Sequence, residues 1–120
     1  MKSRYGELVV DSLGEKLFRF PPAKFEGNNW AVFGPYLTLP AGKYEACFNI
    51  ETLGDIGSET FVDVQQRPYY IKRVSLKEVG DNPCIEFELT ETAIDVEFRL
   101  GYYGMGQVDF KSVRLMKLDL

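Results

Sequence analysis

The side chains in this sequence that could carry out chemistry are mainly carboxylates, because the chain contains no histidine. Glu86 and Glu88 alternate with apolar residues, as do Asp95 and Glu97, so each pair lies on one face of a predicted strand. Two carboxyl groups at a suitable separation can hydrolyse a glycosidic bond. Carboxylates that alternate with apolar residues are more typical of the solvated face of a sheet, and we prefer that interpretation.

The absence of histidine also argues against other catalytic and metal sites. Zinc centres, Ser-His-Asp triads and most general bases at neutral pH depend on an imidazole. Carboxylates in loops remain as ligands for a structural calcium ion. The candidates are Asp55 with Glu59, and Asp81 with Asn82. Neither pair has the spacing of a calcium-binding loop, so structural calcium stays a minor alternative. Because the chain has no histidine, the sequence otherwise predicts no catalysis, no cofactor and no metal site.

A glycine-aromatic segment is the best candidate for a binding site. Residues 101–106 read GYYGMG. Glycine bends the backbone freely, and two adjacent tyrosines at such a bend are hard to bury together, so we expect Tyr102 and Tyr103 to be exposed. The alternative is that one of the two closes the end of the sandwich. An aromatic face can stack on the C–H side of a sugar ring while polar neighbours bind its hydroxyls. The predicted ligand-binding residues are Trp30, Arg99, Tyr102, Tyr103, Gln107 and Asp109.

Arg99 and the other aromatic residues each allow two interpretations. Arg99 is either ion-paired with a carboxylate on a neighbouring strand, which we favour, or its guanidinium binds sugar hydroxyls or the carboxylate of an acidic sugar. Trp30 is the single tryptophan and is either a core residue or a platform. Tyr36 follows a Gly-Pro pair and is expected to pack at the corner of a strand. Tyr69 and Tyr70 are weaker candidates for exposure.

The alternation of apolar and polar residues predicts the strands that position these side chains. Ile94, Val96, Phe98 and Leu100 alternate with charged residues, which predicts a strand with one buried face. The predicted strands cover residues 7–10, 16–20, 30–33, 44–50, 61–64, 70–77, 85–89, 94–100 and 108–115. The alternation slips by one residue near Lys111, which predicts a β-bulge.

These strands define the fold class. No stretch has a convincing helical period, and turn signals recur about every 8–12 residues, a pattern typical of antiparallel sandwiches and jelly rolls. A chain of 120 residues fits one domain. The sequence therefore predicts a single all-β domain over residues 1–120, an antiparallel β-sandwich of about 8–9 strands with no significant helix.

Composition and charge restrict the partners. The net charge is −4 and the pI is about 4.9. This balance predicts no binding to nucleic acid and no adsorption to anionic membranes. No apolar run approaches the roughly 20 residues that span a bilayer. The first residues do not resemble a secretory signal, so we expect either a cytoplasmic protein or a piece of a longer chain.

The two cysteines, Cys47 and Cys84, could form one disulfide. Cys47 lies within a strand pattern and Cys84 follows a turn, and reduced, partly buried thiols are common. We therefore expect two free thiols.

Three segments of the sequence resemble the galactose-binding-domain-like jelly rolls, and in particular the small carbohydrate-binding modules found beside bacterial glycosyltransferases and sugar methyltransferases. The first is WAVFGPYLTLPAGKY at residues 30–44, the second is FVDV at residues 61–64, and the third is VEFRL at residues 96–100 followed by VRL at residues 113–115. The resemblance spans about residues 28 to 116 and rests mainly on structural motifs. It implies a sandwich that recognises glycan without cleaving it, at either a concave sheet face or the loops at one end.

Two functions follow as hypotheses. The first is a non-catalytic glycan-binding domain, an accessory module that binds an oligosaccharide and acts beside a flanking enzyme domain. The second is a protein-interaction or structural domain in which exposed tyrosines form a partner or self-association patch, because aromatic residues are also enriched at interfaces.

Overall fold

The computed structural model describes the backbone of residues 2–3, 7–10, 13–20, 30–34, 36–66 and 69–118. Within these ranges, the side chains of residues 2–3, 7, 30–33 and 69–70 lie outside the description. The predicted platform residue Trp30 and the candidates Tyr69 and Tyr70 are therefore described by their backbone alone.

Strands dominate the described part of the chain. They are β1 (Lys2–Ser3), β2 (Glu7–Val10), β3 (Lys16–Phe20), β4 (Trp30–Phe33), β5 (Leu37–Leu39), β6 (Gly42–Leu53), β7 (Phe61–Gln66), β8 (Tyr69–Ser75), β9 (Cys84–Leu89), β10 (Ala93–Gly101) and β11 (Gln107–Lys117). A single helical turn, α1 (Leu76–Val79), precedes the turn into β9. Among the described residues no helix has the length and apolar character needed to cross a membrane. The all-β prediction is confirmed.

The strands form two antiparallel sheets that pack face to face. Sheet A has the order β1-β4-β10-β7-β8, with β5 also paired to β10, and sheet B has the order β2-β3-β11-β6-β9. Phe98 of sheet A contacts Phe48 and Phe87 of sheet B, with ring centroids 6.4 and 6.5 Å apart. Because both sheets present an apolar inner face to the other, the core lies between them and the predicted sandwich is confirmed.

The predicted alternation in β6 is confirmed. Tyr44, Ala46, Phe48 and Ile50 are all buried in the core between the sheets. The slip predicted in β11 is also confirmed, because the pairing of β11 with β6 shifts register between Phe110 and Ser112. The local pattern of apolar residues was sufficient to predict both features, because each strand has one face on the core. A shift of the alternation by one residue would turn apolar side chains into solvent.

The predicted alternation in β10 is confirmed for Val96, Phe98 and Leu100 and is wrong for Ile94, which is 61% exposed. Ala93 pairs with Leu39 and Val96 with Leu37, so Ile94 and Asp95 together oppose the single residue between those partners on β5. Two residues opposite one is the arrangement of a β-bulge. The bulge turns Ile94 outward.

The expectation of two free thiols is wrong. A disulfide joins Cys47 of β6 to Cys84 of β9. The two residues are direct partners in the antiparallel register, and their Cα atoms lie 4.0 Å apart. The pairing of two strands whose cysteines are 37 residues apart is a tertiary feature, which is why the local pattern around each cysteine did not reveal it.

Asp63 lies on the outer face of sheet A and is completely buried. Its direct partners on the two neighbouring strands are Arg99 of β10 and Arg73 of β8. Arg99 donates from Nε and Nη2 to the two carboxylate oxygens at 2.9 and 2.7 Å, and Arg73 donates from Nε and Nη2 to Oδ2 at 3.0 and 2.9 Å. The favoured interpretation of Arg99, an ion pair across strands, is confirmed.

We expect Asp63→Asn to destabilise the fold by about 3 kcal/mol, because it leaves two guanidinium groups beside a neutral side chain while Arg99 stays buried. Equilibrium denaturation by urea measures this change. Asp109→Asn is the matched control. Asp109 also accepts two hydrogen bonds from an arginine, Arg19, but the pair is partly exposed. We expect this control to cost less than about 1 kcal/mol. Equal losses in the two variants would contradict the prediction.

Candidate functional site

The two tyrosines of the glycine-aromatic segment lie in different environments. The expectation that both are exposed is wrong for Tyr102, which is completely buried. Its ring lies 5.8 Å from that of Phe20, and its hydroxyl donates a hydrogen bond to the carbonyl oxygen of Gly106. Successive side chains of an extended segment point to opposite sides, so one tyrosine can enter the core while its neighbour does not. A ring enclosed in this way cannot stack on a sugar.

Tyr103 stays at the surface, with 39% of its area exposed. Its ring lies 6.5 Å from that of Phe61. Phe61 covers its cross-strand partner Gly101 so closely that a Cβ atom there would lie 2.3 Å from the ring. The guanidinium carbon of Arg73 lies 3.8 Å from the centre of the Phe61 ring. Arg73, Phe61 and Tyr103 therefore pack side by side at sheet A, and Tyr103 lies at the end of this row.

The polar residues predicted to surround the tyrosines are engaged with other protein groups. Arg99 is held by Asp63, as described above. Asp109 accepts two hydrogen bonds from Arg19, at 2.9 and 3.0 Å, and Gln107 donates to the same carboxylate at 3.4 Å. Both residues belong to β11 in sheet B. Arg99 belongs to β10 of sheet A, and Tyr103 follows the end of that strand. Tyr102 is enclosed in the core, and the binding roles of the other residues of this set stay predictions.

A surface cavity lies beside the bulge of β10, where the sequence predicted no site. It has a volume of about 570 Å³ and is lined by Tyr36, Gln66, Ile94 and Asp95. Tyr36 directly precedes β5, at the corner of that strand as expected, and half of its area is exposed. Binding sites for small molecules commonly occupy about 300–1,000 Å³, so the cavity is large enough for one or two sugar rings.

The bulge positions the polar groups of this cavity. The Gln66 amide donates from Nε2 to the carbonyl oxygen of Ile94 at 3.1 Å, which holds the end of β7 against the bulge. Asp95 has a φ of +56°, in the left-handed region that residues other than glycine rarely adopt. Such conformations cost free energy and are concentrated at functional sites. The cavity is therefore the strongest candidate site among the described residues.

The chemistry of the cavity suits binding better than catalysis. An exposed phenol ring, a carboxylate and an amide can stack on and hydrogen-bond a ligand that carries many hydroxyl groups. Hydrolysis of a glycosidic bond requires a second carboxyl group near the first. Glu97, the predicted partner of Asp95, is buried in sheet A and cannot be reached by a substrate in this cavity. Glu86 and Glu88 are exposed on β9, as expected for a solvated sheet face.

Three of the four loop residues considered as calcium ligands, Asp55, Asp81 and Asn82, accept hydrogen bonds within the protein. Asp81 accepts from the Thr52 amide and hydroxyl at 3.0 and 2.7 Å, and Asn82 accepts from the Ile50 amide at 3.0 Å. The amide of Gly57 and the ammonium group of Lys77 hold the pKa of Asp55 below its ordinary value. These oxygens attach the turns to β6 and to α1.

Comparison with known proteins finds solved structures with a similar fold. No protein-family model matches the sequence, and no curated protein matches it. The structure is similar to the C-terminal CBM6 domain of LamC, a marine laminarinase from Zobellia galactanivorans, with a TM-score of 0.59, 13% identity, and coverage of 98% of this chain and 92% of that one. It is similar to the EclA C-terminal domain, a sugar-binding protein, with a TM-score of 0.55, 14% identity, and coverage of 90% and 81%.

A third similar structure is described as accessory secretory protein 1, 2 and 3 of Streptococcus pneumoniae. The TM-score is 0.59 at 8% identity, and the match covers 92% of this chain and 88% of that one. At these identities the likeness concerns the fold. The chain has an antiparallel β-sandwich fold that is similar to the folds of these three structures, and the resemblance of its sequence had implied a sandwich.

Burial raises the pKa of the Tyr102 phenol above its ordinary value of 10.0. Because the unfolded chain then loses this proton at a lower pH than the folded chain, the contribution of Tyr102 to stability is complete below pH 10 and is lost as the pH rises further.

We expect Tyr102→Phe to cost about 1 kcal/mol at neutral pH, through loss of the hydrogen bond to Gly106, and to show a smaller decline in stability above pH 10. Urea denaturation at a series of pH values measures both effects. The control Tyr103→Phe leaves the buried phenol in place and should retain the decline. An unchanged alkaline decline in Tyr102→Phe would contradict the assignment.

Proposed function

We propose that this chain is a non-catalytic carbohydrate-binding domain whose site is the cavity lined by Tyr36, Gln66, Ile94 and Asp95. One observation supports the proposal most: an exposed aromatic ring, a carboxylate and an amide surround a single cavity of about 570 Å³. The shared fold with sugar-binding proteins is consistent with it.

Each lining residue has a distinct part in the proposed complex. The Tyr36 ring stacks on the C–H face of a pyranose, while the Asp95 carboxylate accepts hydrogen bonds from its hydroxyl groups. The side-chain Nε2 of Gln66 donates to the carbonyl oxygen of Ile94. The side-chain oxygen of Gln66 then accepts a hydrogen bond from a ligand hydroxyl. The Ile94 side chain provides apolar contact at the rim.

The domain binds its ligand without transforming it and without a cofactor. Asp95 is the single carboxylate among the described residues that line the cavity, so these residues offer no acid and base pair for hydrolysis. A shallow site on one module buries little area, so we expect weak binding. Domains of this kind gain effective affinity when they are joined to another binding or catalytic domain, and a flanking enzyme domain is therefore the expected context.

We expect Tyr36→Ser to reduce binding of an oligosaccharide about tenfold or more, because it removes the stacking ring. The protein is first screened on an array of neutral and acidic oligosaccharides, and the best ligand is then titrated calorimetrically into each variant. Asp95→Asn tests the carboxylate, since asparagine tolerates the left-handed backbone of the bulge and changes mainly the charge.

Tyr103→Ser is the matched control, because it removes an exposed tyrosine from the other end of β10. Loss of binding in this control, with Tyr36→Ser unaffected, would move the site to the glycine-aromatic segment. A flat response over the whole array would contradict carbohydrate binding itself.

A second function is favoured by the exposed apolar side chains at the other end of the sandwich. Leu53, Tyr103 and Met105 are all exposed. Their two loops lie against each other: a Cβ atom at Gly57 would lie 2.8 Å from the sulfur of Met105, and one at Gly106 would lie 3.0 Å from the carbonyl oxygen of Leu53. Aromatic residues and methionine are enriched at protein interfaces. This loop patch fits a protein partner or a second copy of the chain.

If the loop patch mediates self-association, sedimentation should depend on protein concentration, and the double variant Tyr103→Ser, Met105→Ser should abolish this dependence because it removes two apolar contacts. Tyr36→Ser serves as the control, because it removes an exposed aromatic ring elsewhere on the surface. Concentration-independent sedimentation of the unmodified protein would leave the patch without a role in self-association.

A further inference from the structure

Two cysteines and two glutamates occupy adjacent cross-strand positions on sheet B. In the register of β6 and β9, Cys47 lies opposite Cys84, and Glu45 lies opposite Glu86 one step further along the same face. Residues separated by two positions on a strand share a face, so all four side chains lie on the outer surface of the sheet. We call this group the thiol-carboxylate square.

The ligand atoms in this square are close together. One carboxylate oxygen of Glu45 and the sulfur atoms of Cys47 and Cys84 all lie within 4.8 Å of one another. The Oε1 atom of Glu45 is 3.5 Å from the Cys47 sulfur. Zinc binds thiolates at about 2.3 Å and carboxylates at about 2.0–2.2 Å, so the two bonded sulfur atoms must separate after reduction before they and the Glu45 carboxylate can surround one ion.

Strand pairing holds the two sulfur positions together independently of the disulfide. β6 and β9 form registered pairs from Gly42 with Leu89 to Cys47 with Cys84. Beyond the cysteines, the Phe48 amide donates to the Pro83 carbonyl oxygen at 2.8 Å. The inner faces of both strands are buried in the core. The two thiols would therefore remain neighbours after reduction.

The disulfide is accessible from the surface, and charged side chains lie beside it. Cys84 is exposed, and both cysteines line a cavity of about 460 Å³ together with Arg114. Arg114 is the partner of Cys47 on β11. Two glutamates placed directly opposite each other repel, and a bound cation would relieve that repulsion.

We propose that reduction of the Cys47–Cys84 disulfide creates a zinc site from the two thiolates and the Glu45 carboxylate, with Glu86 or water as the fourth ligand. A dithiol reductant supplies two electrons and two protons, becomes a disulfide itself and leaves two thiols. Zinc then replaces the two thiol protons, which are released to solvent. The oxidised protein lacks both thiolates and cannot form the site. This site contains no histidine, so the absence of imidazole does not argue against it.

The test compares zinc binding by the oxidised protein and by the protein reduced with a phosphine, which is itself oxidised to the phosphine oxide. Competition with a chromogenic zinc chelator should show binding that is tighter by about a hundredfold in the reduced protein. Replacement of zinc by Co²⁺ should give thiolate-to-metal charge-transfer absorption. Circular dichroism checks that the reduced protein keeps its β-structure.

Variants identify the ligands. Cys47→Ser and Cys84→Ser should each lose the tight binding and the absorption band, and Glu45→Gln should weaken zinc binding about tenfold. Glu88→Gln is the matched control, because Glu88 lies on the same face of β9 but opposite Lys43. Three results would overturn the proposal: equal binding by the oxidised protein, tight binding retained in Cys47→Ser, or loss of the fold upon reduction.

Discussion

The position of β10 in the middle of sheet A is the constraint on which most of this structure depends. The strand pairs with β4, β5 and β7, and each pairing produces a different feature. Pairing with β5 creates the bulge and the cavity beside it. Pairing with β7 aligns Arg99 with Asp63 and sets the Phe61 ring over Gly101. Since side chains alternate between faces, a shift of one residue would exchange the core face and the polar face of the strand.

The polar face of sheet A is unusual because its centre is buried. Asp63 is held by two arginines, one from each neighbouring strand, and Gln65 is buried in the next row. Removing a carboxylate from water is costly, and only close, well-oriented cations offset that cost. The network therefore favours the observed register of β8, β7 and β10, since a shift of either outer strand would separate its arginine from Asp63. That rigidity suits a domain whose proposed site depends on a bulge in the same sheet.

The two ends of β10 carry different surfaces. At one end the bulge opens a polar cavity with a single exposed ring, which fits a ligand rich in hydroxyl groups. At the other end the loop patch presents apolar side chains, which fit a protein surface. The two proposed functions use separate residues, so one domain could bind a glycan at one end and a partner at the other. The thiol-carboxylate square lies on sheet B, apart from both.

The sequence by itself determined the fold class, nearly every long strand and the slip in β11, because period-two alternation against a single core is a local signal. The interpretation of Arg99 was likewise available, since a charged residue on a strand commonly pairs with an opposite charge on the neighbouring strand. Only the tertiary structure decided the burial of Tyr102, the exposure of Tyr36, the bulge at Asp95 and the pairing of Cys47 with Cys84. Each depends on which distant strand lies alongside and in what register, and no pattern within one strand contains that information.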